Sequence, residues 1–394
     1  MASILGINLS ELSQIQVIEK IKEFLNDSTQ HYLVTPNPEI ILEAHRDEEF
    51  FYVLNQADIS LADGFGLKIA ARLFGDKVPR VTGADLTMQL LTWAQEKKIK
   101  IGIINWQAGL SSNQTINLAL QKNYPGLDFL VVDLDRQVSL LKKEQQTINT
   151  FSPQILLVGL GFPFQEKFIY HQLKNLPSVK VAIGIGGTFD FITQKIKRAP
   201  RWLRQIGLEW FWRLIKQPKR LKRIYNATII FLWKVIKARF INPWLYRPNV
   251  ACWLYKKDQG QIKVLLVERE DEPGHWQLPQ GGLDGENIEV AGAREIREET
   301  GTSNFVIRGV FSSLYRYQFP DDGENKTYKF DYKGQKQSLY VAEYLGNDSD
   351  IRVCFWDHIA WKWVEINQLL TEIYPVRQKS AKIFLDKFKS LNIT

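Results

Sequence analysis

Six short apolar runs in the first half of the chain alternate with longer segments that have the mixed polarity of helices. The runs are rich in β-branched residues and cover positions 32–35, 58–61, 101–104, 129–132, 155–158 and 181–185. Continuous apolar strands separated by helices indicate a parallel sheet that is covered by helices on both faces. The pattern therefore predicts an α/β fold, in which ligands bind beyond the carboxyl ends of the strands.

This alternation stops near Gln194, and a new strand-rich pattern begins at residues 247–250 and 263–267, after Asn242-Pro243. The length of 394 residues also exceeds the size at which one hydrophobic core usually stops growing. We therefore predict three segments: a core at 1–193, a helical appendage at 194–245 and a second domain at 246–394.

The predicted appendage is strongly basic. Between Lys195 and Arg239 the chain has fourteen Lys or Arg residues and one acid, Glu209, although the net charge of the whole chain is only +8. Large aromatic residues are interleaved with these charges, among them Trp202, Trp210, Phe211, Trp212, Phe231, Trp233 and, just beyond, Trp244. This combination suits a phospholipid headgroup layer. Two alternatives stay open: a solvated pair of basic helices with packed aromatics, and a nucleic-acid contact.

The sequence also bears on localisation. No stretch reaches the roughly 18 apolar residues that a bilayer-spanning helix needs, and the first residues lack a basic leader, so we expect no signal peptide. Cys252 and Cys354 belong to no C-x-x-C pair, which argues against a disulfide framework or a zinc site. We expect a cytoplasmic protein that is peripheral to the inner face of the cell membrane.

The strongest chemical signal is Gly281-Gly-Leu-Asp-Gly-Glu286, followed by Arg294-Glu-Ile-Arg-Glu-Glu-Thr-Gly301. If residues 286–300 are helical, Glu295, Glu298 and Glu299 share one face. Such close carboxylates repel one another unless a cation neutralises them, and their hard oxygen atoms favour Mg²⁺ or Mn²⁺. A cation there can bridge a diphosphate and activate water. The alternative is a solvated acidic helix.

This pattern resembles the Nudix box, G-x5-E-x7-R-E-U-x-E-E-x-G-U, where U is an aliphatic residue. Gly281 stands one residue closer to Glu286 than the box requires, and Thr302 replaces its last aliphatic residue. The resemblance implies an α+β Nudix domain, a mixed sheet sandwiched by helices. It also implies that Glu298 and Glu299 are catalytic.

The same resemblance assigns the other residues of the box, with Arg294 orienting the carboxylates. The implied metal ligands are Glu295, Glu298, Glu299, Glu286 and, in a later loop, Asp350. The glycines expected at the substrate phosphates are Gly281 and Gly282.

Four flanking segments resemble RNA pyrophosphohydrolases and dinucleoside polyphosphate hydrolases. They are Tyr246-Arg-Pro-Asn-Val250, His275-Trp-Gln-Leu-Pro-Gln-Gly-Gly282, Tyr332-Lys-Gly-Gln-Lys-Gln337 and Trp361-Lys-Trp-Val364. The implied reaction is Mg²⁺-dependent pyrophosphohydrolysis of a nucleoside polyphosphate or of an RNA 5′ end. Hydrolysis of nucleoside diphosphate sugars is the alternative.

Polar motifs follow two of the predicted strands of the first half, and two further motifs add to them. They are Thr35-Pro-Asn-Pro-Glu39, Asp63-Gly-Phe-Gly66, Arg80-Val-Thr-Gly-Ala-Asp85 and Gly159-Leu-Gly-Phe-Pro-Phe-Gln-Glu166. An aspartate on a glycine-rich turn can approach a sugar hydroxyl and remove its proton, although Asp-Gly is also ordinary turn chemistry.

Together with Gly184-Ile-Gly-Gly-Thr-Phe-Asp190, Arg198-Ala-Pro200 and Leu208-Glu-Trp-Phe-Trp-Arg213, these motifs resemble the WecG/TagA/CpsF glycosyltransferase family. The resemblance implies a Rossmann-like core with a C-terminal helical appendage and no cofactor. It implies inverting transfer of an N-acetylmannosamine-like sugar from a UDP donor to an undecaprenyl-diphosphate-linked sugar at the inner-membrane surface.

Carried over position by position, the resemblance makes Asp63 the general base. The residues expected to shape the donor and acceptor pocket are Thr35, Asn37, Arg80 and Gln165. The arginines expected at the lipid diphosphate are Arg213, Arg220 and Arg223, because guanidinium groups match phosphate oxygens in pairs. Gln194 stands where family members commonly have glycine, so we expect a different turn into the appendage.

The two resemblances together favour a bifunctional enzyme, a glycosyltransferase followed by a Nudix hydrolase. One alternative is a nucleoside diphosphate sugar hydrolase that a non-catalytic N-terminal module docks to the membrane. Another is an RNA-processing protein whose basic segment binds RNA. Self-association into a homo-oligomer is left open.

Overall fold

The computed structural model describes residues 2–136, 138–200, 202–203, 211–212, 221–319 and 332–393. The chain divides into two compact units, Met1–Arg239 and Phe240–Thr394. Each unit has hydrophobic clusters of its own.

The first unit is built on a six-stranded parallel sheet, as the apolar runs predict. Before it, β1 (Ala2–Ile4) and β2 (Ile7–Leu9) form a separate antiparallel hairpin. The sheet strands are β3 (His31–Val34), β4 (Ile59–Ser60), β5 (Ile101–Trp106), β6 (Phe129–Leu134), β7 (Ile155–Gly159) and β8 (Val181–Gly184). Their order across the sheet is β4-β3-β8-β7-β5-β6, so β8 lies between β3 and β7.

Helices cover both faces of this sheet. They are α1 (Gln14–Asn26), α2 (Pro38–Ala44), α3 (Glu48–Asn55), α4 (Phe65–Phe74), α5 (Gly83–Lys97), α6 (Asn113–Asn123), α7 (Lys142–Phe151), α8 (Phe164–Gln172) and α9 (Thr188–Ile192). Alternate strand residues join different clusters: Leu33 packs with α1, α5 and α6, whereas Val34 packs with α2, α3 and α8. The predicted fold class, a doubly covered parallel sheet, is confirmed.

A helical segment forms the end of the first unit and continues for two residues past its boundary at Arg239. It consists of α10 (Leu221–Tyr225), a π-helical stretch Asn226–Ile230, α11 (Phe231–Ile236) and a second π-helical stretch, Lys237–Ile241. Phe231, Val235 and Ala238 are buried in the cluster that contains α2 and α4. Within the described residues, no helix has the length and apolar character that crossing a bilayer requires.

The second unit contains a mixed seven-stranded sheet. Its strands are β9 (Tyr246–Asp258), β10 (Gln261–Arg269), β11 (Trp276–Gln277), β12 (Gln280–Gly282), β13 (Phe305–Gln318), β14 (Gly334–Tyr344) and β15 (His358–Glu365). The central path is β11-β10-β9-β14-β13, with β12 paired to β9 and β15 paired to β10. β9 and β14 run parallel, and the other pairs are antiparallel.

Helices enclose the second sheet from both sides. α12 (Ile288–Thr300) lies on one side, and α13 (Leu369–Glu372) and α14 (Gln378–Lys389) lie on the other. Along β9, Cys252 and Leu254 pack with α12, whereas Trp253 and Tyr255 pack with α13 and α14. This alternation confirms the predicted sandwich of a mixed sheet between helices.

Candidate active sites of the two units

In the first unit, predicted site residues meet at the carboxyl edge of the sheet. Thr35 directly follows β3, Asp63 follows the neighbouring strand β4, and Gln165 lies on α8 after β7. Since β8 lies between β3 and β7, the three residues follow three strands within a run of four neighbours, β4-β3-β8-β7. The described geometry therefore places them where parallel α/β sheets bind ligands.

Gly83, at the start of α5, lies close to both Asp63 and Thr35. The Gly83 amide donates to Asp63 Oδ2 at 3.3 Å, and a Cβ atom at Gly83 would lie 3.3 Å from Thr35 Oγ1. Thr35 Oγ1 in turn donates to the carbonyl oxygen of Gly184 at 3.1 Å. Gly83 is the first residue of α5, so the half-buried Asp63 carboxylate lies at a helix N-terminus, which favours negative charge.

Asn37 and Arg80 lie on loops of the same edge. Asn37 caps α2, because its Oδ1 accepts from the amides of Glu39 and Ile40 at 2.9 and 3.1 Å. Arg80 is half-buried between α4 and α5 and directly precedes Val81, whose amide donates to the Ala62 carbonyl. Arg80 therefore lies beside the segment that leads into Asp63.

Gln165 makes its polar contacts within the protein. Its Oε1 accepts from the amides of Gly161 and Gly186 at 3.2 and 2.9 Å. Its Nε2 donates to Glu166 Oε1 at 2.8 Å. Gln165 is 3% exposed, so it ties the turn after β7 to the turn after β8 from below the surface.

Glu166 ends the motif Gly159-Leu-Gly-Phe-Pro-Phe-Gln-Glu166, which predicts no role for it. Its side chain is fully buried, and burial raises the pKa of its carboxyl to about 7. A carboxyl that titrates near neutral pH beside a site residue is a functional candidate.

Two arginines make tertiary contacts that the sequence analysis does not predict. Arg198 forms a bidentate ion pair with Asp85, at 2.6 and 2.9 Å, and donates to Thr82 Oγ1 at 3.2 Å. Arg136 stacks on Trp106 with its guanidinium carbon 3.7 Å from the ring centroid. Arg198 lies in a quoted motif, but the sequence offered no signal for these pairings, since both depend on tertiary contacts.

The predicted appendage arginines fall largely beyond the structural description. Arg213 and Arg220 lie outside the described residues, and Arg223 belongs to α10 by its backbone, while its side chain lies outside the description. Gln194 has a φ of 60°, a left-handed conformation that glycine adopts more readily. Gln194, which stands where family members commonly have glycine, therefore adopts a backbone conformation that favours glycine.

In the second unit, the predicted carboxylates lie on and beside α12. The helix begins at Ile288, two residues later than the pattern predicts, because Asn287 caps it by accepting from the Val290 amide. Glu295 and Glu299 are buried, and the Glu298 side chain is 41% exposed.

Arg294 lies among three of these carboxylates. Its Nη1 donates to Glu295 Oε1 and to Glu298 Oε2, both at 2.8 Å, and its Nε donates to Glu286 Oε2 at 2.9 Å. Its Nη2 donates to the Gly282 carbonyl at 2.8 Å. Although burial opposes the charge, the surrounding carboxylates raise the pKa of Arg294, so the guanidinium stays protonated. The guanidinium thus holds the carboxylates beside the β12 backbone.

Glu299 is oriented by two other groups. Its Oε2 accepts from the Gln280 amide at 3.1 Å and lies 3.0 Å from Nε2 of His358 on β15. Burial opposes protonation of His358, but the Glu299 carboxylate outweighs it and raises the pKa of the imidazole. Sequence reasoning missed His358, because the histidine is 59 residues from Glu299 and approaches it only in the folded sheet.

The two predicted glycines are required by close approach. A Cβ atom at Gly281 would lie 2.0–2.1 Å from the Glu295 carboxylate, and one at Gly282 would lie 2.3 Å from Arg247 Nη2. Neither position can accept a side chain without displacing a charged group. Although Gly281 stands one residue closer to Glu286 than the Nudix box requires, it still lies against the Glu295 carboxylate.

Asp350 occupies a different local setting. It ends a short 3₁₀ turn, Asp348–Asp350, and its Oδ2 accepts from Asn304 Nδ2 at 3.0 Å and from the Asn347 amide at 3.1 Å. In the described part of the chain, the hydrogen-bond donors to Asp350 thus belong to loops and not to α12, where Glu295, Glu298 and Glu299 lie.

Comparison with known protein families gives two matches along the chain. Residues 2–243 match the family model described as glycosyl transferase WecG/TagA/CpsF family. Residues 245–386 match the model described as NUDIX domain.

The first match extends to named relatives. An N-acetylglucosaminyldiphosphoundecaprenol N-acetyl-beta-D-mannosaminyltransferase of Staphylococcus aureus (strain MRSA252) is 32% identical over 243 residues, which cover 60% of this chain and 92% of the relative. A protein of the same name from Bacillus subtilis (strain 168) is also 32% identical over 243 residues, covering 60% and 93%.

Solved structures resemble a smaller part of the chain. A C. elegans Ap4A hydrolase shares 21% identity over 36% of this chain and 98% of its own, with a TM-score of 0.29. The E. coli dihydroneopterin triphosphate pyrophosphohydrolase shares 18% identity over 36% and 99%, with a TM-score of 0.28.

Proposed function

The chain belongs to the WecG/TagA/CpsF family of glycosyltransferases and carries a NUDIX domain behind that region, and from this we propose a bifunctional enzyme with a separate active site in each unit. The first unit transfers N-acetylmannosamine, or a close relative, from a UDP donor to an undecaprenyl-diphosphate-linked N-acetylglucosamine. The second unit hydrolyses a pyrophosphate bond in a nucleoside polyphosphate or at a 5′-triphosphate RNA end.

The observation that carries the transferase proposal is the position of Asp63 at the carboxyl edge of the sheet. Its carboxylate is half-buried and accepts from the first amide of α5, and Asp63 follows β4, the strand that pairs with β3, after which Thr35 comes. In this role Asp63 accepts the proton of the acceptor hydroxyl, whose oxygen attacks the anomeric carbon of the sugar as UDP leaves. Attack opposite the leaving group inverts the anomeric centre. The names of the two relatives support this donor and acceptor.

The transferase proposal is tested with Asp63→Asn in the full chain. The amide keeps the size of the side chain but cannot accept the proton, so we expect transfer from UDP-N-acetylmannosamine to fall by about a hundredfold or more. Asp128→Asn is the matched control, since Asp128 is exposed at the amino end of β6, on the opposite edge of the sheet. Equal transfer by Asp63→Asn and the control would reject this role.

The helical segment that closes the first unit supports a membrane-surface location for the reaction. Phe231, Val235 and Ala238 are buried, but another stripe of large apolar side chains is 39–62% exposed. That stripe consists of Leu221, Tyr225, Ile229, Trp233 and Ile236. Its spacing of three to four residues places it on one face, and Lys234, Lys237 and Arg239 belong to the same segment. Such a face suits insertion at the headgroup boundary.

Vesicle binding tests this contact. Replacing Ile229 and Trp233 by Ser should weaken binding to vesicles of phosphatidylglycerol and phosphatidylethanolamine by about tenfold or more, because apolar area is lost from the stripe. Leu118→Ser is the control, since Leu118 is 60% exposed on α6. Unchanged vesicle affinity in the double variant would exclude this face as the contact.

The hydrolase proposal depends on the carboxylates of α12. Oxygen atoms of Glu295 and Glu298 lie within 4.8 Å of each other, Glu299 is anchored by the Gln280 amide, and Gly281 leaves room for the Glu295 carboxylate. An all-oxygen donor set with several negative charges fits Mg²⁺ or Mn²⁺. A cation bound there supplies charge neutralisation for the diphosphate and an activated water. Arg294 orients Glu295 and Glu298, while Glu286 and Asp350 are the outer candidate ligands.

This proposal is tested with Glu298→Gln in the full chain. We expect Mg²⁺-dependent release of pyrophosphate or mononucleotide from triphosphorylated RNA and diadenosine polyphosphates to fall at least about a hundredfold, because one negative ligand is lost. Glu289→Gln is the control, since Glu289 is exposed in the first turn of the same helix. Full activity of Glu298→Gln would reject its role, and exclusive hydrolysis of UDP-sugars would reject the substrate class.

A further inference from the structure

The pair Gln165–Glu166 lies at the carboxyl edge of the sheet and makes its hydrogen bonds within the described part of the chain to protein groups. Gln165 Oε1 accepts from two backbone amides, those of Gly161 and Gly186. These glycines follow β7 and β8 and have φ values of 76° and 53°. One side-chain oxygen thus joins two left-handed turns that end neighbouring strands.

This arrangement works with only one orientation of the Gln165 amide. A flipped amide would direct an NH₂ group at two N–H donors, and none of the three groups could accept. Glu166 Oε1 accepts from Gln165 Nε2 at 2.8 Å and so selects the productive orientation. The selection is independent of protonation, because a protonated carboxyl with its proton on Oε2 still presents Oε1 as an acceptor.

Keeping a carboxyl at this position is costly to the fold. Glu166 is fully buried, and its Oε2 has no hydrogen-bonding partner among the described residues. Burying an acidic group without full hydrogen bonding is unfavourable. An apolar side chain would avoid that cost, so packing alone does not account for a glutamate here.

We propose that Glu166 is a positioning residue for the donor nucleotide, acting through Gln165 to hold the turns after β7 and β8 in the geometry that binds the UDP moiety. This inference rests on the transferase function proposed above. The two turns flank the edge where Thr35 contacts Gly184, and a Cβ atom at Gly184 would lie 2.8 Å from Gln165 Nε2. The strand backbone, the glutamine and the glutamate are therefore packed as one unit beneath the proposed donor pocket.

The test compares Glu166→Leu with Glu166→Gln in the full chain. Leu removes the acceptor for Gln165 Nε2 without leaving a charge in the core, whereas Gln restores a carbonyl oxygen. We expect the Kd for UDP, measured by calorimetry, to rise about tenfold in Glu166→Leu and to stay within about twofold in Glu166→Gln. The KM for the UDP-sugar should rise in parallel, with kcat changed less than about threefold.

Ile169→Ala controls for general weakening of α8, since Ile169 is buried on the same helix. It should lower the stability of the unit and leave the Kd for UDP unchanged. Equal UDP affinity in Glu166→Leu and the unmodified protein would overturn the inference, as would equal losses in the Leu and Gln variants. UDP binding without any sugar transfer would instead contradict the proposed function.

Discussion

The Glu295 carboxylate fills the space that a side chain at position 281 would need. This contact explains a residue requirement that the sequence motif alone leaves unexplained. The pattern of glutamates is readable from helical periodicity, because Glu295, Glu298 and Glu299 follow the 3–4-residue spacing of one face. The close contact of Gly281 with Glu295 cannot be predicted from the sequence, since it depends on how closely β12 approaches α12.

A first prediction concerns Gly281→Ala. The added Cβ would lie 2.0–2.1 Å from the Glu295 carboxylate, so Glu295 must leave its place beside Arg294. We expect hydrolysis by the second unit to fall on the order of a hundredfold, as for other losses of groups that orient ligands. Transferase activity of the same protein is the internal control. A fully active hydrolase would show that Glu295 can move without consequence.

A second prediction concerns Glu166 and pH. Burial raises the pKa of Glu166 from 4.5 to about 7, so between these values the folded protein holds a proton that the unfolded chain has lost. The contribution of Glu166 to the stability of the folded protein is therefore fully present below pH 4.5 and is lost as the pH rises through 7. Relative to Glu166→Gln, the first unit should lose about 3 kcal/mol of unfolding free energy across this range.

Urea denaturation of both proteins at several pH values measures this difference. Parallel stability curves for the unmodified chain and Glu166→Gln from pH 4.5 to 7 would show that the buried carboxyl titrates as it does in the unfolded chain.

At the scale of elements, the strands were the most predictable part of the fold. The six apolar runs of the first half correspond to β3 to β8, because strands buried on both faces are nearly all apolar. The hairpin of β1 and β2 was missed, since its strands have three residues each and such short runs carry little periodicity. Helix α12 was predicted two residues too early, because the Asn287 cap competes with helix extension.

A third prediction belongs to strand β8. In Gly184→Ala, the new Cβ would lie 2.8 Å from Gln165 Nε2 and 3.3 Å from Glu166 Oε1. The Gln165 amide must therefore shift from its hydrogen-bonded position, which should release the turns at Gly161 and Gly186. We expect UDP affinity to fall about tenfold. Combining this change with Glu166→Leu should add little further loss, because both break the same linkage. Fully additive losses would indicate independent effects.

At the scale of the whole molecule, the chain combines two folds with unrelated chemistry. The sheet of the first unit places single polar residues from adjacent strands at one edge, whereas the second unit concentrates carboxylates on one helix. Sequence motifs were sufficient to recognise both families, since each motif has fixed spacing along the chain. Contacts that join distant segments, such as Glu299 with His358, required the structure.

The central claim, two independent active sites on one chain, is tested most directly by crossed assays of two single variants. Asp63→Asn and Glu298→Gln are each measured for sugar transfer to the lipid-linked acceptor and for Mg²⁺-dependent nucleotide hydrolysis. We predict that Asp63→Asn loses transfer and keeps hydrolysis, and that Glu298→Gln shows the reverse. Loss of both activities in either variant, or of neither activity in both variants, would contradict the account.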